Sequence, residues 1–221
     1  MLNQLPHHPD KIQPEAIAGL VGRPDPLLLE VGCHEGEDTA KMLAAMPQAT
    51  VYCFEPDPRP IARFRTLFID DSRVVLYRGA VTDKDGTTAF YPSTGKAGHS
   101  DDWDYSGSLR KPTGHLIRSP EIKFKPPIEV QCTRLDTWLA DNPYIRMIDF
   151  IWIDVQGGQQ ALIAGGKLTL ALTRFVYIEC HQQPLYDGEP TQKGLVALLP
   201  GFGAMGVYEQ DNILFCNKHF T

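Results

Sequence analysis

Most signatures that settle a function by inspection are missing from these 221 residues. The five cysteines (Cys33, Cys53, Cys132, Cys180 and Cys216) are odd in number and include no CxxC pair. That excludes a regular disulfide framework and gives no spacing for a zinc site, so reduced, mostly buried thiols in a cytoplasmic protein are expected. Basic runs are also missing. Lysine and arginine number 21 against 27 acidic residues, for a net charge of −6. Attraction to nucleic acid or to an anionic membrane is therefore not expected as the main purpose. No apolar run approaches the roughly 20 residues that span a bilayer, and the first residues lack the basic-then-apolar order of a signal peptide.

Two nucleotide fingerprints fail as well. A phosphate-binding GxxxxGK[ST] loop is excluded because Gly166-Lys167 is preceded by Ala161 and followed by Leu168. A dinucleotide GxGxxG would need glycines at 30, 32 and 35, where the chain has Glu30, Gly32 and Glu35. No internal repeat and no dividing linker is visible, so residues 1–221 read as one domain.

What remains is regular alternation. Short apolar runs read as buried strands at 27–31, 50–54, 74–77, 147–153 and 175–180, with amphipathic stretches between them at 39–46, 59–69, 135–139, 159–164 and 191–199. Residues 87–91 and 128–133 read as further extended chain. The end, 205–208 and 212–216, reads as a hairpin turned around Gln210-Asp211. Strand–helix alternation with a terminal hairpin predicts an α/β fold on an open, mostly parallel, Rossmann-like sheet. Residues 1–25, where Pro14 opens an Ile17/Leu20/Val21 stripe, are expected to form a helical cover. Residues 92–127, rich in Ser, Gly, Pro and Lys, read as a long acceptor-side loop.

Ligands on such sheets bind beyond the carboxyl ends of the strands. The first loop there is Glu30-Val31-Gly32-Cys33-His34-Glu35-Gly36, and Glu37 and Asp38 follow it. Gly32 permits a tight turn, and Gly36 lets the next helix start close by. A diphosphate would meet repulsion there. A nucleoside whose ammonium and sulfonium groups are cations, S-adenosylmethionine, suits an acidic loop. Glu55 ends the second strand, where a carboxylate can accept from two ribose hydroxyls. Ala80 and Val81 follow the third strand, where they could flank an adenine. The cofactor-binding set is therefore Glu30, Gly32, Cys33, His34, Gly36, Glu55, Pro56, Ala80, Val81 and Asp154.

Taken in order, Glu30 to Gly36, Phe54-Glu55-Pro56 and Val81-Thr82-Asp83-Lys84-Asp85-Gly86 form an ordered set with three later motifs. These are Thr133-Arg134-Leu135-Asp136-Thr137-Trp138, Ile153-Asp154-Val155-Gln156-Gly157 and Ile178-Glu179-Cys180-His181. The set resembles the FkbM-type methyltransferases over about residues 27–216. The resemblance implies a seven-stranded class I methyltransferase sheet, S-adenosylmethionine as donor, and O-methylation of sugars or similar metabolites. The family commonly carries Asp-Val-Glu-Gly and then a second Glu; here those two positions are Gln156 and Gln159. These amides leave a non-catalytic S-adenosylmethionine binder as an alternative, with an NAD-dependent oxidoreductase as a more distant one.

For O-methylation the acceptor hydroxyl must lose a proton, so a base within reach is expected. His181 is the expected base, Asp154 a positioning group, and Glu179 the acid that orients His181, because alternation puts 179 and 181 on one side of an extended chain. Nothing in the spacing of these three demands a metal, and none is expected. Trp103, Tyr105, Ser106, Ser108 and Gln156 are the expected acceptor contacts, with His99 and His115 as alternative bases.

Overall fold

In the computed structural model, which describes residues 2–95 and 103–220, the apolar runs become strands and the amphipathic stretches become helices around them. The first half contains α1 (Pro14–Val21), β1 (Leu27–Val31), α2 (Glu37–Ala45), β2 (Thr50–Phe54), α3 (Pro58–Leu67) and β3 (Val74–Tyr77). After β4 (Ala80–Val81) and β5 (Gly86–Phe90), the chain resumes regular structure at β6 (Ile128–Thr133) and α4 (Leu135–Asp141). The last part holds β7 (Ile148–Ile153), α5 (Gln159–Gly165), α6 (Lys167–Ala171) and β8 (Thr173–Glu179). Helix α7 (Gln192–Leu198) leads into the hairpin of β9 (Phe202–Tyr208) and β10 (Asn212–Asn217).

The main sheet runs β3-β2-β1-β7-β8-β10-β9 and ends on a two-residue strand, His7–His8, paired in parallel with β9. Only β10 runs antiparallel to its neighbours. The sheet therefore has eight strands where seven were expected. The eighth forms because the N-terminal segment pairs along the β9 edge: the Val207 N–H donates to the Pro6 carbonyl and His8 stacks on Tyr208. The N-terminal cover is correspondingly narrower than expected. Only residues 14–21 form an α-helix, with Ile17 and Val21 buried and Leu20 partly so.

Alternation along the strands builds two cores. Leu29, Val31, Phe54, Ile151, Ile153, Val176 and Ile178 face Leu135, Trp138, Leu162 and Leu195. On the other face, Leu28, Val51, Cys53, Phe150, Trp152 and Tyr177 pack with Ile17, Met42 and Phe64. Burial on both faces is why the central strands read as continuous apolar runs. Among the described residues, no helix is long and apolar enough to cross a membrane.

Two segments depart from their expected roles. Strands β5 and β6 leave the main sheet and form a small one with β4, in the order β4-β6-β5. The described parts of 92–127 are tied down: Ser93–Thr94 pairs with Lys123–Phe124, Tyr91 bridges Ser108, and residues His115–Arg118 form a helical turn. The chain passes from β1 outward to β3 and returns to β7 on the other side of β1. That switch in direction opens a crevice at the carboxyl ends of β1 and β7.

Candidate active site

Gly32 stands at this crevice with φ of +87°, and its N–H donates to the Phe54 carbonyl at 2.9 Å. A Cβ at this position would lie 1.7 Å from the Asp154 carbonyl oxygen, so no side chain fits. One strand further along, Glu55 is buried and takes the His34 N–H on one oxygen at 2.9 Å and the Asp57 N–H on the other at 2.8 Å. Burial pushes its pKa up to about 7, against the pull of those two amides. Between Gly32, Glu55 and Asp154 lies a cleft of about 680 Å³, its open mouth included. Phe54, Ala80, Val81, Phe90 and Leu109 give it apolar walls, while its charged or titratable lining consists of His34, Glu55, Asp104, Tyr105 and Asp154. Among the described residues, no lysine or arginine lines it.

Seven of the residues expected to hold a cofactor thus come together here: Gly32, His34, Glu55, Pro56, Ala80, Val81 and Asp154. Glu30, Cys33 and Gly36 do not line the cleft. Glu30 points to the α2 face of the sheet, is buried, and accepts a hydrogen bond from the Thr39 hydroxyl; burial raises its pKa to about 8. Cys33 is buried in that same apolar core, and burial pushes its thiol up. Gly36 begins α2 with φ of +88°, and a Cβ there would meet the Phe64 and Phe68 rings within 2.9 Å. The acidic loop therefore divides, with Gly32 and His34 lining the cleft and Glu30, Cys33 and Gly36 turned into the fold.

The segment from Trp103 to Leu109 closes over the mouth. Asp104 is buried, 2.7 Å from His34 Nε2 and 2.8 Å from Arg63 Nη2, which also pairs with Glu35. Burial alone would raise the Asp104 carboxyl, but these two partners outweigh it and bring it to about 2. Tyr105 lies over the His34 ring at 4.2 Å and Trp103 lies 4.9 Å from Tyr105, so this aromatic pair stands at the rim. Of the two serines expected to contact an acceptor, Ser108 lines the cleft and Ser106 does not, and both are tied into the loop's own hydrogen bonds. Trp103 Nε1 donates to the Ser106 hydroxyl at 3.2 Å, and the Ser108 hydroxyl donates to the Gln156 carbonyl at 2.5 Å.

Gln156 lines the cleft beside Asp154, in the left-handed region with φ of +46°. Its amide nitrogen donates to Asp154 Oδ1 at 2.6 Å and to Glu179 Oε2 at 2.8 Å. Its amide oxygen lies 2.8 Å from the Tyr186 hydroxyl, which is also 3.0 Å from the Ser106 carbonyl. Glu179 is held well above the usual carboxylate range, by burial first and then by the neighbouring Asp154 charge. Tyr186 was not picked out from sequence, because only the folded loop brings it back to Gln156.

The expected pairing of Glu179 with His181 does not form. Strand β8 ends at Glu179, so the alternation that would place both on one side stops there. His181 Nδ1 instead meets Glu189 Oε1 at 2.7 Å. His181 does not line the cleft; it packs beside Tyr186, with ring centroids 6.4 Å apart. His115 is buried on the far side of Tyr186, and its Nδ1 has no hydrogen-bond partner. His99 lies outside the described residues. Among the described residues, no group of three or more His, Cys, Asp or Glu side chains is placed to hold a metal.

Comparison with known proteins agrees with this geometry. The model of the methyltransferase FkbM domain matches residues 30–206. The 2-O-methyltransferase NoeI of Sinorhizobium fredii (strain NBRC 101917 / NGR234) is 42% identical over 186 residues, covering 84% of this chain and 76% of the relative. The fold is similar to that of an O-methyltransferase from Bacillus cereus solved in complex with SAH, with a TM-score of 0.51. The two are 14% identical, and the match covers 92% of this chain and 78% of that one. The chain belongs to the FkbM family of S-adenosylmethionine-dependent methyltransferases.

Proposed function

We propose that this enzyme O-methylates a hydroxyl of a sugar or another small molecule. The observation that carries the reading is the cleft's lining: among the described residues it holds Glu55, Asp104 and Asp154 and no lysine or arginine. Those residues fit S-adenosylmethionine; Arg63 at the mouth is already engaged by Asp104 and Glu35 rather than offered to a phosphate. Glu55 stands where it can accept from ribose hydroxyls, and Phe54, Ala80, Val81, Phe90 and Leu109 would enclose the base. Asp154 faces the cationic end; the Gln156 amide donates to its carboxylate and is itself anchored on Glu179. When bound, the cofactor supplies a methyl group already activated on sulfur. The chain then has to orient the acceptor oxygen and take its proton.

His181 is the base this reading assigns; it packs behind Tyr186 rather than in the cleft wall, so its access to the acceptor runs past the Tyr186 ring. Trp103 and Tyr105 at the rim offer aromatic faces for a sugar ring. Oxygen as the acceptor atom is supported by the likeness to a 2-O-methyltransferase. A net charge of −6 favours a small neutral or cationic acceptor over nucleic acid, and five free thiols suit the cytoplasm. The test is incubation of the protein with S-adenosylmethionine and a panel of saccharides and hydroxylated metabolites. Products are read by mass spectrometry. A gain of one methyl on oxygen is expected; transfer only to amines would overturn the reading.

A further inference from the structure

We infer that Glu189 is the positioning residue of the acceptor side, holding His181 for proton transfer at Nε2 and fixing Tyr186 against Gln156. The inference rests on the reading of His181 as base. The Glu189 side chain has no exposed surface, and both oxygens are used. One takes the His181 Nδ1 proton at 2.7 Å and the His181 backbone N–H at 3.3 Å. The other takes the backbone N–H groups of Leu185 at 2.7 Å and Tyr186 at 3.2 Å. A buried carboxylate with four donors is satisfied by them, and no solvent is needed to keep it charged.

This arrangement has a chemical consequence at each end. A carboxylate on Nδ1–H places the lone pair of the neutral imidazole on Nε2. His181 Nε2 then takes the hydroxyl proton as the acceptor oxygen bonds the methyl carbon. The carbon–sulfur bond breaks with its electron pair left on sulfur, and the new imidazolium is paired with Glu189. At the other end, the turn closed on Glu189 carries the Tyr186 hydroxyl to 2.8 Å from the Gln156 amide oxygen. One carboxylate thus sets both the base and the arm that packs beside it.

The groups around His181 act in the same sense. Glu189 comes from its own loop, Asp211 from the β9–β10 turn, where it accepts the Gln182 N–H, and Asp154 from the end of β7. His115, from the helical turn beyond Tyr186, has its pKa lowered by burial. Burial alone would lower the His181 pKa; the carboxylates outweigh it, Glu189 foremost, and raise it above its ordinary value.

The test joins nitrogen NMR of the histidine side chains of the full chain to the pH profile of kcat/KM with an acceptor from the panel. In the wild type, His181 is expected to carry its proton on Nδ1 and to titrate above 6.5, with the acid limb of the profile at the same pH. In Glu189→Gln the His181 pKa and the limb should move together to lower pH, and kcat should fall at least roughly tenfold. Glu189→Asp should recover part of the loss. If Glu189→Gln keeps the wild-type limb and kcat while His181→Asn loses activity, the role of Glu189 is refuted and the base stands. If His181→Asn keeps wild-type kcat, the base reading itself falls. Should Glu189→Gln not fold, the wild type decides. An acid limb that does not track His181, or an Nδ1 without its proton, overturns the inference.

Discussion

A methyl group on residue 32 would collide with the carbonyl oxygen of Asp154, because the ends of β1 and β7 meet here, at the point where the cleft opens. Gly32→Ala must push that carbonyl away or abandon a φ of +87°. We expect a loss of about 3 kcal/mol in stability, with donor binding abolished, measured by urea denaturation and calorimetric titration. Glu30 gives a different kind of prediction. Its folded-state pKa of about 8 lies above the ordinary 4.5, so the unfolded chain releases its proton first as pH rises. Stability is therefore lost across that window, through the cost of burying the ionised form. Glu30→Gln keeps an acceptor for the Thr39 hydroxyl and removes the titration. Between about pH 5.5 and 8 the wild type should lose about 3 kcal/mol more than the variant, read from urea midpoints at the two pH values. Equal losses would mean that Glu30 is not buried as a titrating acid.

At the scale of elements, strands hidden on both faces were legible because nearly all their residues are apolar. The β7 run from Ile148 to Ile153 is buried throughout, although it includes Asp149. The turn between β9 and β10 was placed by its polar residues, and it holds Glu209 and Gln210 at φ of +46° and +68°. Non-glycine residues are strained there, so Gln210→Gly should stabilise the protein by about 0.5–1 kcal/mol in thermal or urea unfolding. The carbonyl that accepts from Gln192 is kept in that variant. Residues 92–127 were hardest to read. Their described parts are held by hydroxyls meeting distant backbone, such as Ser93 Oγ with the Ser106 N–H and Ser108 Oγ with the Gln156 carbonyl, and such pairs leave no periodic trace. Glu189 was invisible for the same reason: its partner His181 is reached only after a loop folds back, while Glu179 looked suitable on a strand that ends one residue too soon.

At the scale of the whole molecule, the two cores share one sheet. Trp138 reports on the first and Trp152 on the second, from opposite faces. If residues 1–221 form one cooperative unit, tryptophan fluorescence and far-ultraviolet circular dichroism should give coincident urea transitions. Separated midpoints would show that the two faces unfold independently. The donor half of the cleft was readable because Gly32, Glu55 and Asp154 each sit at a strand end, where order along the chain translates directly into position on the sheet. The acceptor half is built from loop returns, and only the fold reveals that Gln156, Glu179 and Tyr186 meet. The central claim, that an acidic cleft at this switch point holds a cationic nucleoside donor, is tested most directly by calorimetric titration with S-adenosylhomocysteine beside NAD and ATP. Saturable binding of S-adenosylhomocysteine alone is the predicted result. Binding of NAD in its place, or no binding of S-adenosylhomocysteine to folded protein, would contradict it.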